Sequence, residues 1–275
     1  MAAKRVSKHP WVPDAAARAW MAHLSPAGEP RAAVLHEQGV WWATSVFELV
    51  EGIWALDPDG AHAVLRSRVL TNRPVTPLDR AVVHLCGRKI ASVPPEPGPR
   101  EDRPVHDVRD AAQASRAHHQ ALSALDLPPT LDLDALPTWL RPAPDLPYGT
   151  PGLRTRDRPV SAVLVDAHGQ ILEAARNTHG RHRLHHAEVN LVQRWEARGA
   201  PLLPRGSTVF VGLQCCRMCA ALLASRMPEP LPVYYLDPEP GPFGRNTALQ
   251  ALGVERPLTP SEPPAARRGG PTSPA

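Results

Sequence analysis

The chain has 275 residues, 43% of them apolar, which is enough for one core of ordinary size or two small ones. It sets 31 Lys and Arg against 27 Asp and Glu, a formal charge of +4 that permits nucleic-acid binding without demanding it. No run of about 18 uncharged apolar residues exists, Met1-Ala2-Ala3-Lys4-Arg5 leads into Pro10 and Pro13 rather than an apolar signal core, and four cysteines do not make a disulfide framework, so the expected setting is a reducing, cytoplasmic one with no membrane partner.

In chain order, Ala33 to Ala43 alternates about Gly39 as a β-hairpin, and Ala81-Val82-Val83-His84-Leu85 ahead of Cys86 reads as a strand. Residues 1–93 are therefore expected to form an N-terminal α+β region. Pro94-Pro95-Glu96-Pro97-Gly98-Pro99 breaks the pattern and makes 94–105 a Pro-rich linker. Asp107 to Leu125 is Ala-rich without Pro or Gly and predicts a helix, with Val108, Ala111, Ala112 and Ser115 as a weak apolar face. Residues 126–159 carry eight prolines and no periodic pattern, so 126–156 is read as an extended insertion.

The second half alternates strands and helices. Ser161–Val165 and Gln170–Ala174 flank Asp166-Ala167-His168-Gly169 as a hairpin, with Gly169 free to take positive φ. Helices follow over 186–198 and 217–226, strands at Ser207–Val211 and Val233–Leu236, and a short helix at Thr247–Leu252. Val189, Val192 and Trp195 recur at helical spacing and are expected in the core. The result is a layered α/β domain over 106–255, a sheet with helices on both faces. The tail 256–275 is Pro, Ser, Gly and Arg with almost no large apolar residue, and disorder is expected.

The chemistry concentrates in His186-Ala187-Glu188 and in Cys215-Cys216-Arg217-Met218-Cys219, whose Cys216 stands 30 residues after His186. A catalytic zinc takes three protein ligands and keeps a position open for water, and His186, Cys216 and Cys219 fill three places with suitable donors. At i and i+3, the two cysteines share one face near a helix start, where the helix dipole favours thiolate. Glu188 follows the histidine too closely for easy chelation, but is placed to act as the acid/base that moves the water proton. Taken alone, the C-x-x-C could be a redox pair or half a structural zinc knuckle; with H-x-E it matches the pattern of zinc-dependent base deaminases. Cys215 could exchange with Cys216 as a ligand.

The flanks add a family likeness. Asp157 to Val165, Asp166 to Leu172 and Ala175-Arg176-Asn177, with Tyr234 to Gly244 after the cysteines, resemble the cytidine deaminase-like superfamily, above all its tRNA adenosine deaminases. The likeness covers about 157–253. It implies that fold, a zinc cofactor, and Asn177 as a substrate contact. It departs where Cys215 replaces the proline that ordinarily precedes the first zinc cysteine, and where the Pro-rich insertion precedes the first strand.

Lysine occurs only at positions 4, 8 and 89, so the basic excess is arginine. Arg176, His179, Arg181, His182, Arg183 and His185 cluster just before the metal helix, either as a solvated loop or as a lip whose Arg181 and Arg183 bind substrate phosphates. The reading is a zinc-dependent hydrolytic deaminase of a nucleobase, with adenosine in tRNA or other RNA favoured. Alternatives are a cytosine or cytidine deaminase acting on nucleotide or single-stranded DNA or RNA, a non-catalytic deaminase-fold subunit that binds nucleic acid, and a structural zinc protein. A homodimer is an open expectation. The early hairpin reads like Ala162 to Glu173, and His62-Ala63-Val64 falls where His-Ala-Glu would, so 1–93 is also read as a degenerate deaminase-like unit; chance likeness of two hairpins is the alternative.

Overall fold

The computed structural model describes residues 14–86, 89–141, 159–178 and 184–259. They fall into two compact units, 14–118 with Leu184, and 119–178 with 185–259. Where the sequence placed the start of the second domain at 106, the division falls at 118/119. Among the described residues no helix is long and apolar enough to cross a membrane.

The first unit runs α1 (Asp14–Leu24), β1 (Ala32–His36), β2 (Gly39–Ala43), α2 (Val46–Leu56), α3 (Ala61–Leu65), β3 (Arg68–Thr71), α4 (Pro77–Cys86), β4 (Lys89–Ser92), β5 (Val105–Asp107) and the start of α5 (Arg109–Leu122). Its sheet has the order β4-β3-β1-β2-β5. β1 is antiparallel to β2 and β3, while β3 and β4 run parallel. Trp20, Met21 and Leu24 of α1 bury Ala33, Leu35, Val40 and Leu70, while α2 and α3 pack on β1 and α2 on α4.

Two expectations change here. Ala81 to Leu85 is helix, not strand, because Thr76 and Asp79 cap one another's backbone N–H groups around Pro77 and start α4. The linker 94–105 has no regular structure up to 104, but it is tied down: Arg18 pairs with Glu96, Arg103 donates to the His36 carbonyl at 2.8 Å, and Val40 donates to the Pro104 carbonyl. Its last residue opens β5, which pairs parallel to β2.

The second unit continues with the end of α5, then α6 (Leu136–Leu140), β6 (Ser161–Val165), β7 (Ile171–Arg176), α7 (Ala187–Ala197), β8 (Thr208–Leu213), α8 (Arg217–Arg226), β9 (Val233–Asp237), a 3-10 turn (Pro242–Gly244), α9 (Ala248–Ala251) and β10 (Glu255–Pro257). Sheet order is β10-β9-β8-β6-β7. β6 is antiparallel to β7 and β8, and the remaining pairs are parallel. Gly169 turns the β6–β7 hairpin at φ +82°. Ala162 and Leu164, alternating with Val163 and Val165, are buried on the face where α7 packs on β6 and β7. The fold class is thus the layered α/β sheet expected, with Val189 and Val192 in the core.

The insertion is a correction. Residues 124–141 are not a loose loop: Leu136 and Leu140 are fully buried against Val163, Val165 and Phe210, with Leu125, Leu127 and Leu131 beside them. Pro137 falls in the first turn of α6, where its missing N–H costs nothing. On β8, a Cβ at Gly212 would lie 2.2 Å from the Leu140 carbonyl oxygen, so only glycine lets α6 sit this close. Bridges Ala124–Ala175 and Thr130–Gln170 cover the β7 edge. The rest of the insertion, 142–158, lies outside the described residues. So does the tail from 260, but 256–257 belong to β10 and Leu258 donates to the Tyr235 carbonyl, so the ordered chain extends past the expected boundary at 256.

Candidate metal centre and active site

Two strand-to-helix junctions build the site. His186 is the N-cap of α7, with φ −67° and ψ 159°. Cys216 is the N-cap of α8, with φ −68° and ψ 165°. Neither side chain caps its own helix, so the imidazole and the thiol are left for another partner. Cys219, one turn into α8, is fully buried.

Among the described residues, His186, Cys216 and Cys219 are the His, Cys and acidic side chains whose ligand atoms converge, all within 4.8 Å of one another. The His186 Nδ1 lies 3.7 Å from Cys216 Sγ and 3.4 Å from Cys219 Sγ. Tetrahedral zinc with ordinary bond lengths sets a sulfur-to-nitrogen separation of about 3.6 Å, so the donor types and their spacing both fit that ion.

The charges agree with a site built for a cation. Burial would lower the His186 pKa, but the Cys216 thiolate, with Glu188 and Glu239, outweighs it and pushes it up to about 9. The hydrogen bond from Cys219 and the His186 charge hold Cys216 well below the usual thiol range. Burial, and the thiolate beside it, push Cys219 up.

Glu188 sits in the first turn of α7, buried and outside the ligand trio. Burial raises its pKa, opposed by His186 and by a hydrogen bond from Cys215. Cys215 does not join the trio. It is fully buried, its backbone N–H donates to Glu255 Oε1 at 3.2 Å, and burial raises its thiol pKa. Gln214 holds the same carboxylate at 3.3 Å.

The expected substrate contacts fare unevenly. Asn177 follows β7 directly, half-buried, with its N–H on the Val160 carbonyl at 2.9 Å. Arg181 and Arg183, with His179 and His182, lie outside the described residues. Arg176 donates to the Leu122 carbonyl at 3.0 Å. His185 is no rim residue: it is fully buried, with ring centroid 3.6 Å from that of His119. His119 Nδ1 lies 2.9 Å from Thr178 Oγ1, and Asn190 donates to the carbonyls of Arg176 and His185 and to Thr178 Oγ1. This polar knot fixes the chain on either side of the metal histidine. Sequence reading missed it because its members are up to 71 positions apart (119 to 190) and carry no motif.

A second clamp holds α7 to the sheet. Buried Glu173 on β7 accepts from Arg194 at 2.9 Å and pairs with Arg198 at 2.6 Å, one helical turn apart.

Comparison with known proteins adds to this geometry. Residues 152–259 match the family of Bd3614-like deaminases. No curated protein matches the chain. Among 23 solved chains that do, one from studies of A-to-I editing by tRNA:A34 deaminases at the wobble position of transfer RNA is 30% identical. That likeness covers 30% of this chain and 63% of the other, with a TM-score of 0.26, so the chain spans less than two thirds of that relative. The match over 152–259 takes in all three converging ligands and Glu188, so the second unit is similar to these deaminases across its candidate site.

Proposed function

We propose that the second unit is a zinc-dependent hydrolytic deaminase of a nucleobase, acting on adenosine in tRNA or another RNA. The observation that carries this reading is the convergence of His186, Cys216 and Cys219 at tetrahedral spacing, with Glu188 buried beside them. Zinc held by these three would supply a Lewis acid that acidifies water. Glu188 would take one proton from the attacking water as its oxygen bonds to the amine-bearing ring carbon, pass that proton to the ring nitrogen, and then carry the remaining hydroxyl proton to the departing amine. The C–N bond is replaced by a carbonyl and ammonia leaves. Its pKa, raised by burial, suits a group that must both accept and donate a proton.

The choice of adenosine in RNA rests on the likeness of 157–253 to tRNA adenosine deaminases, with Asn177 as the base contact and Arg181 and Arg183 as phosphate partners. The test is ammonia release by metal-replete protein from tRNA, single-stranded DNA, adenosine and cytidine. Release from tRNA, with affinity that weakens as salt rises, supports the reading, as does a salt slope that Arg181→Ala/Arg183→Ala flattens by roughly one for each phosphate no longer bound. Rapid, salt-insensitive turnover of free cytidine without RNA or single-stranded DNA binding moves the protein to the small-molecule pyrimidine branch.

A further inference from the structure

We propose that the first unit is a second copy of the deaminase core whose metal centre has been replaced by ordinary helix caps. The likeness is one of topology. The strand run β2-β1-β3-β4 repeats β7-β6-β8-β9, with the same antiparallel, antiparallel, parallel senses. In chain order a helix follows β2 or β7, α2 or α7 respectively, and another lies between β3 and β4 or β8 and β9, α4 or α8. The two helices pack on one another in both units. One hairpin is common by chance; four strands in the same order and sense with both helices in place are a far narrower coincidence.

The equivalence assigns positions. The N-cap of α2 is Ser45 where α7 has His186, and Phe47 stands where Glu188 supplies the proton carrier. At the start of α4, Thr76 before the helix and Asp79 in its first turn stand where α8 has Cys216 and Cys219. His62 lies within α3, with its ring against Trp54, and Cys86 ends α4, so neither sits at a ligand position.

The replacements complete the caps. Ser45 Oγ accepts from the Glu48 N–H at 3.2 Å, and the Glu48 carboxylate accepts from the Thr44 N–H at 3.0 Å. Thr76 Oγ1 accepts from the Asp79 N–H at 3.1 Å, and Asp79 Oδ2 accepts from the Thr76 N–H at 2.9 Å. Asp79 also pairs with Arg73 at 2.9 Å. His186 and Cys216 make no such bond. In one unit the junction side chains satisfy their own helices, whereas in the other they are held back for a ligand. A unit of the first kind folds without metal and has no proton carrier to catalyse with.

The proposal rests on the metal reading of His186, Cys216 and Cys219, so the wild type is measured alongside. The full chain carrying Ser45→His, Thr76→Cys and Asp79→Cys is titrated with cobalt(II), reading thiolate-to-cobalt absorption and metal content. The expected result is two ions per chain in the variant against one in the wild type, with unchanged far-ultraviolet circular dichroism. A folded variant that still binds one ion overturns the proposal; a wild type that binds none overturns the metal reading instead. If the triple variant does not fold, Thr76→Cys/Asp79→Cys decides. New thiolate-to-cobalt absorption, retained when Cys216→Ala is added, supports the equivalence, and its absence from folded protein overturns it.

Discussion

His186 and Cys216 share almost one backbone conformation, φ −67°, ψ 159° and φ −68°, ψ 165°, each at the cap of a helix that follows a strand. The extended caps bring two helix N-termini, and with them two positive dipole ends, to the same point. Thiolates are favoured there, and the imidazole is set where both sulfurs can reach it. Metal affinity should therefore depend on three named side chains and on no fourth. Cys216→Ala or Cys219→Ala is expected to lose the ion, while Cys215→Ala keeps it. Elemental analysis of the purified variants checks this; full zinc in Cys216→Ala with none in Cys215→Ala would reverse the assignment.

Metal uptake should also release protons. The Cys216 charge beside His186 pushes the imidazole pKa up to about 9, and burial raises that of Cys219. A bound ion requires a neutral imidazole and two thiolates, so two protons must leave at pH 7. Apparent affinity is then expected to rise by about a hundredfold per pH unit around neutrality. Competition against a chelator of known pH dependence measures the slope, and a flat profile contradicts the charge assignment.

Glu188→Gln keeps the shape of a buried side chain and removes its proton chemistry. The variant is expected to retain zinc and fold while deamination falls by at least about a hundredfold, the scale of positioned proton transfer. Turnover near that of the wild type removes Glu188 from the mechanism.

In the first unit, burial of Glu51, opposed by Arg116, pushes its pKa up to about 8. Its ordinary value is 4.5, so between the two the folded state holds a proton that the unfolded state has lost. Stability of this unit should fall as pH rises through that window. Glu51→Gln is expected to flatten the dependence and to raise stability at the upper end. Urea unfolding followed at several pH values reads both, and an unchanged slope in the variant assigns the effect elsewhere.

Leu136→Ala should destabilise the second unit by about 2–5 kcal/mol, the range for deleting a fully buried leucine. Chemical unfolding of the variant measures it. A loss under about 1 kcal/mol would mean that α6 is not part of that core.

The hairpin around Gly169, the α7 and α8 starts and the trio with Glu188 were legible in the sequence, because each depends on short spacing and on residue types with strong chemical preferences. Ala81 to Leu85 misled because a short apolar run suits either period; the deciding signal was upstream, in Thr76-Pro77-Leu78-Asp79, a capping box with proline at the first helical position. The insertion misled through its prolines, although Leu125, Leu127, Leu131, Leu136 and Leu140 gave it an apolar side to bury. His185 looked like one more basic loop residue. Its burial depends on His119, 66 positions earlier (119 to 185), and local pattern holds no trace of that pairing.

The match to known deaminases begins at residue 152, yet the apolar face formed by Val163, Val165 and Phe210 is roofed by leucines from 125 to 140. A fragment cut at the edge of the match would keep His186, Glu188, Cys216 and Cys219 and still present that face bare to water, a patch of the kind that drives self-association. The smallest self-sufficient form of the second unit therefore starts ahead of Leu125, with its roof supplied by residues that precede the match.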